Sequence, residues 1–306
     1  MKKAILILLA AALLVPCLTG CSGGELKKVR VHEVTHSVFY AAQYIAMERG
    51  YFADEGLEVE LTNAGGADKA MTALLAGQAD IALMGPESSV YVYNEGRADY
   101  TQVIGQLTTC DGAFIVGREP DEDYTLETLR GKSILDVDVR SDVQFNLMAG
   151  AFIGGEGDYT TLFEPTATEV EQQGEGYVLA SVGALAGEVP YTCYQVTRSA
   201  LEEDRETIEA FLRAIYRAQK FVEESDARTV AEALAPAFSD ASIDTLETVV
   251  LRYREIGAFA TSPVMTEDAY ERLLDIMEQA GELDARPPYA EIIQNSIAEQ
   301  VMQEES

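Results

Sequence analysis

The stretch FYAAQYIAMERGYFADEGLEVEL, residues 39–61, decides how the chain is organised. Apolar residues recur at helical spacing from Phe39 to Arg49, and Gly50 is the kind of residue at which a helix ends. The alternation from Leu57 to Leu61 is typical of a strand. The stretch therefore predicts a helix that leads directly into a β-strand.

The same alternation of strands and helices continues on both sides of this stretch. Strands are predicted at residues 29–34, 81–84 and 103–107, and helices at 67–76 and 86–93. Strands separated by helices of this length usually pair in parallel. The first part of the chain is therefore expected to form an open, doubly wound α/β sheet.

The pattern changes after residue 112, where shorter elements are followed by a helical tail. Strands are predicted at 113–116, 133–137, 160–163, 177–182 and 192–197, and helices at 166–173, 204–223, 227–235, 242–256 and 266–279. We predict that residues 29–111 together with 196–306 form one lobe. Residues 112–195 would form a second lobe inserted into the first.

The N-terminus carries the pattern of an export signal. Lys2 and Lys3 precede an apolar run, residues 4–15, that is too short to span a bilayer. The following residues, LTGC at 18–21, resemble the bacterial lipobox, in which the cysteine receives a lipid. An ordinary secretory signal and a short membrane anchor are the alternatives.

These features predict how the chain is processed and located. Residues 1–20 are expected to be a signal peptide, Cys21 the lipidated residue, and residues 21–28 a tether. The protein would then be extracytoplasmic, held at the outer face of the cytoplasmic membrane by its lipid and not by a spanning helix.

The composition excludes several classes of function. With 52 acidic and 22 basic residues, a net charge of −30 argues against nucleic acid as a partner and against a basic patch for anionic lipid. Catalytic sequence motifs are missing, and His32 and His36 are the only histidines, so neither an enzyme nor a metal or cofactor site is expected. Cys110 and Cys193 could form a disulfide or remain two buried thiols.

Residues 46–60, AMERGYFADEGLEVE, closely resemble the signature AxExGYFxxEGLxVE of one family of ABC-transporter substrate-binding proteins. That family binds nitrate, taurine, sulfonates and thiamine precursors. Further matches at residues 73–82, 162–167 and 187–192 extend the resemblance over most of residues 29–290.

The resemblance implies a type II periplasmic-binding-protein fold, with two lobes, a hinge of two crossover strands and a ligand in the cleft. It implies a monomeric lipoprotein that delivers a small organic solute to the permease subunits of an ABC importer by cleft closure. The alternatives are a ligand-binding sensor lipoprotein and an enzyme like the thiamine-pyrimidine synthases related to this family.

One segment departs from the family pattern. Between residues 131–133 and 150–152, relatives carry an extra strand, a glycine turn and a helix, so the second lobe is expected to be shorter by one βα unit. Either Asp138, Arg140 and Ser141 reach into a remodelled site, or the lobe is impaired.

Candidate ligand-binding residues follow from the rule that ligands of open α/β sheets lie beyond the carboxyl ends of the strands. Each predicted strand end contributes a group, and the resemblance adds two residues of the second lobe: Thr35, His36, Ser37, Phe39, Tyr40; Gly65, Gly66, Ala67; Glu87, Ser88; Thr109, Asp111; and, from the resemblance, Glu164 and Tyr191.

The chemistry of these candidates leaves the ligand open. The aromatic pair Phe39 and Tyr40 suits a flat solute, although both could be core residues. Free N–H groups after Gly65 favour an anionic or hydroxyl end, whereas carboxylates in the cleft need an amine or hydroxyls as partners. A thiamine-pyrimidine-like heterocycle and a sulfonate or taurine-like solute are both compatible with these residues.

Overall fold

A computed structural model of the chain describes residues 25–129, 134–135 and 145–305. The larger of its two sheets has five strands in the order β2-β1-β3-β9-β4, and the smaller has four in the order β6-β7-β5-β8. Their bounds are β1 Lys27–Glu33, β2 Leu57–Asn63, β3 Ile81–Met84, β4 Thr101–Thr108, β5 Phe114–Gly117, β6 Ile134–Leu135, β7 Tyr159–Leu162, β8 Tyr177–Ser181 and β9 Thr192–Thr197.

The helices occupy the segments between the strands and most of the chain after β9. They are α1 Ala41–Glu48, α2 Tyr51–Asp54, α3 Ala67–Leu75, α4 Glu87–Asn94, α5 Phe145–Ile153, α6 Thr166–Gln172, α7 Val182–Ala186, α8 Arg198–Glu203, α9 Arg205–Glu224, α10 Ala227–Leu234, α11 Ile243–Glu255, α12 Glu267–Ala280, α13 Tyr289–Ile292 and α14 Ser296–Glu304. Single 3-10 turns lie at Val38–Tyr40 and Leu126–Leu129.

The larger sheet is mixed, not wholly parallel as the sequence pattern predicted. Strand β1 pairs in parallel with β2 and β3, so that Val31 lies beside both Leu61 and Ile81. Strand β9 runs antiparallel between β3 and β4. The reason is topological: the chain returns from the smaller sheet at the carboxyl edge of β3, and β9 must therefore run in the opposite direction.

This return also differs from the predicted lobe boundary. The boundary placed residues 192–195 in the second lobe, but all of β9 belongs to the larger sheet. The segments that join the two sheets lie side by side, because the N–H of Val189 donates to the carbonyl of Thr109 at 2.8 Å and the N–H of Thr192 donates to Oγ1 of Thr108 at 3.0 Å. These paired crossovers form the hinge.

The cysteines beside the hinge are both free and buried. Cys110 packs in the main apolar core, whereas Cys193 packs in a separate cluster with Met265 and Tyr270. The disulfide hypothesis is therefore wrong for this structure, and the alternative of two buried thiols is the one observed.

The core of the larger sheet depends on the long helix α9. Its buried face includes Phe211, which stacks on Phe52 of α2 with ring centroids 5.0 Å apart and meets the ring of Tyr194 of β9 edge-on at 5.0 Å. Aromatic pairs of this geometry are worth about 0.5–1.5 kcal/mol beyond the apolar area that they bury. The contact fixes the helical tail against the sheet that carries the candidate site.

Some sequence-based expectations fall on residues outside this description. The predicted signal, Cys21 and the first half of the tether precede residue 25, and Asp138, Arg140 and Ser141 lie between the described segments. Among the described residues, no helix combines the length and apolar character needed to cross a membrane.

Candidate functional site

A cavity of about 400 Å³ lies between the two lobes, at the carboxyl edge of the larger sheet. Residues from both sides of the hinge line it: Val34, Thr35, Tyr40, Ala67, Met84, Gly85, Glu87, Asp111, Phe163, Ala186, Val189, Pro190, Tyr191, Thr192, Leu273 and Ile276. This is the position at which open α/β sheets bind ligands, and the volume suits a small organic molecule.

The structure brings six of the sequence-predicted residues together in this cavity. Each follows a strand or lies on a crossover, so that the ends of β1, β2 and β3 and the hinge each contribute to the wall. The six are Thr35, Tyr40, Ala67, Glu87, Asp111 and Tyr191.

Two further candidates support the cavity without lining it. The hydroxyl of Ser37 accepts a hydrogen bond from the N–H of Phe39 at 3.1 Å and donates to the carbonyl of Glu164 at 2.6 Å. The buried ring of Phe39 packs against those of Tyr40 and Tyr191 at centroid distances of 5.7 Å. Phe39 therefore positions two aromatic residues of the cavity wall.

His36 does not line the cavity but lies in two grooves beside it. Its ring stacks on Phe238 with centroids 4.5 Å apart, and Nε2 lies 3.0 Å from the carbonyl oxygen of Ala237. Nδ1 lies 3.6 Å from Oε1 of the buried Glu33, and this carboxylate raises the pKa of His36. These contacts tie the end of β1 to the helical tail.

Glu164 has a different environment from the one that the resemblance predicted. Its carboxylate is buried and accepts hydrogen bonds from the N–H and the hydroxyl of Thr168, both at 2.8 Å. Nη1 of Arg252 lies 3.0 Å from Oε1 of Glu164. Glu164 thus stabilises the first turn of α6 and joins it to α11, so its charge is matched by protein groups.

The remaining candidates lie near the cavity but outside its lining. Gly65 and Gly66 precede Ala67, and Ser88 follows Glu87 on α4. The Thr109 hydroxyl donates to the carbonyl of Gly257, which places it in the hinge.

Among the residues that the structure describes, the charged ones in the cavity lining are Glu87 and Asp111, and none of them is basic. The Glu87 carboxylate folds back over Gly85: a Cβ atom at Gly85 would lie 2.1 Å from both carboxylate oxygens. Burial raises the pKa of Glu87 to about 7. Asp111 accepts a hydrogen bond from the N–H of Ala113 at 2.7 Å.

Several lining residues had no signal in the sequence that pointed to a ligand. Leu273 and Ile276 belong to α12, well over two hundred residues after the end of β1, the first strand end that contributes to the cavity. Ile276 has 47% of its surface exposed, and this exposure is visible only in the structure. Val189 and Pro190 enter the wall through the second crossover.

Two lobes, paired crossovers and a cavity between them define a solute-binding protein of the type II periplasmic-binding-protein fold. The periplasmic nitrate-binding protein NrtA from Synechocystis PCC 6803 superposes with a TM-score of 0.70 at 13% identity, covering 92% of this chain and 89% of that one. The alkanesulfonate-binding protein SsuA from Xanthomonas axonopodis pv. citri, bound to MOPS, gives 0.69 at 14% identity, covering 89% and 100%. At such low identity these similarities establish the fold.

Sequence comparison establishes the family. A family model described as NMT1/THI5 like matches residues 37–109. The putative binding protein YtlA of Bacillus subtilis (strain 168) is 37% identical over 313 residues, which covers 94% of each chain. The chain belongs to the NMT1/THI5-like family of substrate-binding proteins, as its opening signature predicted.

Proposed function

We propose that this protein is the extracytoplasmic solute-binding component of an ABC importer. Acting as a monomer, it closes its two lobes around one small organic solute and presents the closed form to the permease subunits. The observation that carries this proposal is the cavity, because its wall combines Glu87 and Leu273 of one lobe with Phe163 and Ala186 of the other. The relatives described as binding proteins support a binding role over a catalytic one.

A ligand screen by thermal shift tests the proposed function. A solute that binds only the folded state stabilises it by about 2.7 kcal/mol at a hundred times its Kd. The screen compares aminopyrimidines, thiamine, riboflavin, taurine, alkylsulfonates and nitrate, which include the two solute classes that the sequence left open. A dose-dependent rise in Tm for one class is expected.

A matched pair of variants locates the binding. Ala67→Phe fills part of the cavity and is expected to abolish the ligand-induced shift, whereas Ala53→Phe, on an exposed position of α2, leaves it intact. A cooperative unfolding transition that no member of the screen moves would contradict the proposal for all these solutes, and an equal shift in both variants would place the ligand elsewhere.

We also propose that Cys21 carries the lipid anchor and that the predicted tether, shortened to residues 21–26 because β1 begins at Lys27, connects it to β1. The support is the lipobox-like sequence LTGC at residues 18–21. Metabolic labelling with an alkyne fatty acid should mark the wild-type protein and leave Cys21→Ser unlabelled. Labelling that survives the substitution, or its absence in both proteins, contradicts the anchor and leaves the binding proposal untouched.

A further inference from the structure

The charged side chains in the described lining of the cavity, Glu87 and Asp111, are both acidic, and this restricts the solute. We propose that the cavity selects an organic cation, in which a flat or apolar body carries a protonated nitrogen that lies against Glu87 and Asp111. This inference rests on the proposed solute-binding function and adds the charge of the solute to it.

Glu87 is the strongest observation. Its carboxylate faces the cavity, and no basic side chain of the described segments forms an ion pair with it. The hydrogen bond that it accepts comes from its own N–H at the start of α4. A carboxylate in an apolar enclosure is costly unless a cation or several donors compensate for its lost hydration. A solute with a positive nitrogen provides this compensation.

Asp111 extends the negative charge to the hinge side of the cavity. It accepts the N–H of Ala113 and lies next to the hydroxyl of Tyr191. Burial is the main cause that raises the pKa of Tyr191 well above its usual range, and the charges of Asp111 and Glu87 both add to it. Both carboxylates are therefore close to one phenol, and they act on the same part of the cavity.

The rest of the lining suits the body of such a cation. The rings of Tyr40, Phe163 and Tyr191 present aromatic surface, which attracts a cation placed over its face. Apolar side chains, including Met84 and Leu273, surround these rings and keep the dielectric low.

Two other solute classes fit this lining less well. A sulfonate or nitrate would place its negative charge near two carboxylates, and the described part of the wall offers no basic residue to balance it. A metal ion needs more ligands than the two acids, and the described residues hold no group of three or more His, Cys, Asp or Glu side chains suited to one.

A matched series of probes with the same phenyl body tests the charge of the solute. The probes are benzamidine and benzylamine as cations, benzamide and benzyl alcohol as neutral analogues, and benzoate and benzenesulfonate as anions. Their affinities for the full-length protein in mild detergent are measured by isothermal titration and ligand-observed NMR. The cations are expected to bind at least about tenfold more tightly than the anions, since one charge contact is worth about one decade in affinity.

Two substitutions, one in α4 and one at its C-cap residue, test whether the preference for cations depends on Glu87. Glu87→Gln keeps the shape of the side chain and is expected to weaken benzamidine binding by about tenfold. Glu95→Gln removes an exposed carboxylate from the end of the same helix and is expected to leave the affinity within about twofold. Both variants are checked for a cooperative unfolding transition.

The possible results separate the inference from the function on which it rests. Tighter binding of benzoate or benzenesulfonate, or an unchanged benzamidine affinity in Glu87→Gln, overturns the organic-cation inference and leaves solute binding in place. If no probe binds the folded protein at millimolar concentration, the organic-cation inference is contradicted. The proposed solute-binding function is then tested separately by the wider thermal-shift screen.

Discussion

At the scale of single residues, burial of the Glu87 carboxylate destabilises the protein without solute, and the proposed organic cation would offset this loss of stability. Its pKa of about 7 lies above the usual 4.5 because burial disfavours the ionised carboxylate. The folded state therefore holds the Glu87 proton more tightly than the unfolded state does. Ionisation of Glu87 therefore lowers the free energy of unfolding as the pH rises from 4.5 to about 7. Above pH 7, Glu87 is ionised in both states, and this loss of stability does not increase further.

The substitution Glu87→Gln should remove this penalty. At pH 8 the Tm of the variant is expected to exceed that of the wild type by about 2–4 °C, corresponding to about 1 kcal/mol. At pH 4.5 most of the difference should vanish, because Glu87 is then protonated in the folded state and about half protonated in the unfolded state. Calorimetric melting at both pH values measures this difference, with Glu95→Gln as the control; a constant difference across the range contradicts the assignment.

The same titration affects the affinity for a cation. The groups that face Glu87 are Tyr91 on its own helix, Tyr191 and Cys193 from the β9 side, and Asp111 across the cavity. Burial raises the pKa values of the two tyrosines and the thiol, so they are neutral near pH 7. Benzamidine affinity is therefore expected to fall as the pH drops below 7, by about tenfold in total, which is the loss expected for Glu87→Gln. A flat profile between pH 6 and 8 would show that Glu87 does not bear on the bound cation.

Gly85 provides a second residue-scale prediction. A methyl group at this position displaces the Glu87 carboxylate, which is the flexible end of a side chain and can move at little cost to the fold. Gly85→Ala is expected to weaken benzamidine binding by about tenfold while Tm changes little. Gly150→Ala on α5 has open space around its Cβ and serves as the control. A large fall in Tm without a change in affinity would assign Gly85 to the fold alone.

The two buried cysteines predict a simple chemical result. Burial raises the pKa of the Cys110 thiol to about 11 and that of Cys193 well above its usual range, so little thiolate is present at pH 8. Without reductant, both thiols should react with a chromogenic disulfide only after denaturation. If the denatured protein shows no reactive thiol at these positions, the pair is a disulfide after all.

At the scale of elements, α11 joins the helical tail to the second lobe. Arg252 contacts Glu164 at 3.0 Å, the hydroxyl of Thr168 at 2.7 Å and Glu171 at 2.5 Å. The next residue, Tyr253, donates its hydroxyl to the carbonyl of Gly112 and accepts the N–H of Glu164, both at 3.1 Å. The tail therefore acts as a support on which the second lobe is placed.

Removing the Arg252 guanidinium should destabilise the folded protein, because the buried charge of Glu164 then loses its cationic partner. Arg252→Ala leaves a buried carboxylate with the hydrogen bonds of Thr168 alone, and a loss of about 3 kcal/mol in the free energy of unfolding is expected. Arg228→Ala, whose partners Asp244 and Glu247 are at the surface, should cost much less, because exposed ion pairs are screened by solvent. Denaturant unfolding compares the two, and equal losses would contradict the role of Arg252.

Elements that are specified by a local sequence pattern could be predicted, whereas features that depend on the tertiary arrangement could not. Helix α9 was predicted to within a residue at each end, because its apolar face repeats with the helical period over twenty positions. The antiparallel direction of β9 could not be predicted, since it depends on where the chain leaves the second lobe. The pairing of Glu164 with Arg252 joins residues 88 apart, and no local pattern encodes it.

At the scale of the whole molecule, the proposed function requires two lobes that move about the paired crossovers. The candidate cavity was predicted in part, because strand ends converge wherever parallel strands share an edge, and Thr35, Ala67 and Glu87 are such residues. The contribution of α12 came from the packing of the tail, which sequence order does not reveal. The negative charge of the lining could not be predicted from sequence, because it depends on which residues the folded lobes bring together.

The most direct test of the account is the distance between the lobes with and without solute. Spin labels at Glu95→Cys and Glu175→Cys, both exposed and on opposite lobes, report this distance by pulsed electron resonance. Addition of a solute that raises the Tm in the thermal-shift screen is predicted to give a shorter and narrower distance distribution, as closure around the cavity requires. A distribution that stays unchanged at saturating solute would contradict the central claim that this protein works by closing two lobes on its ligand.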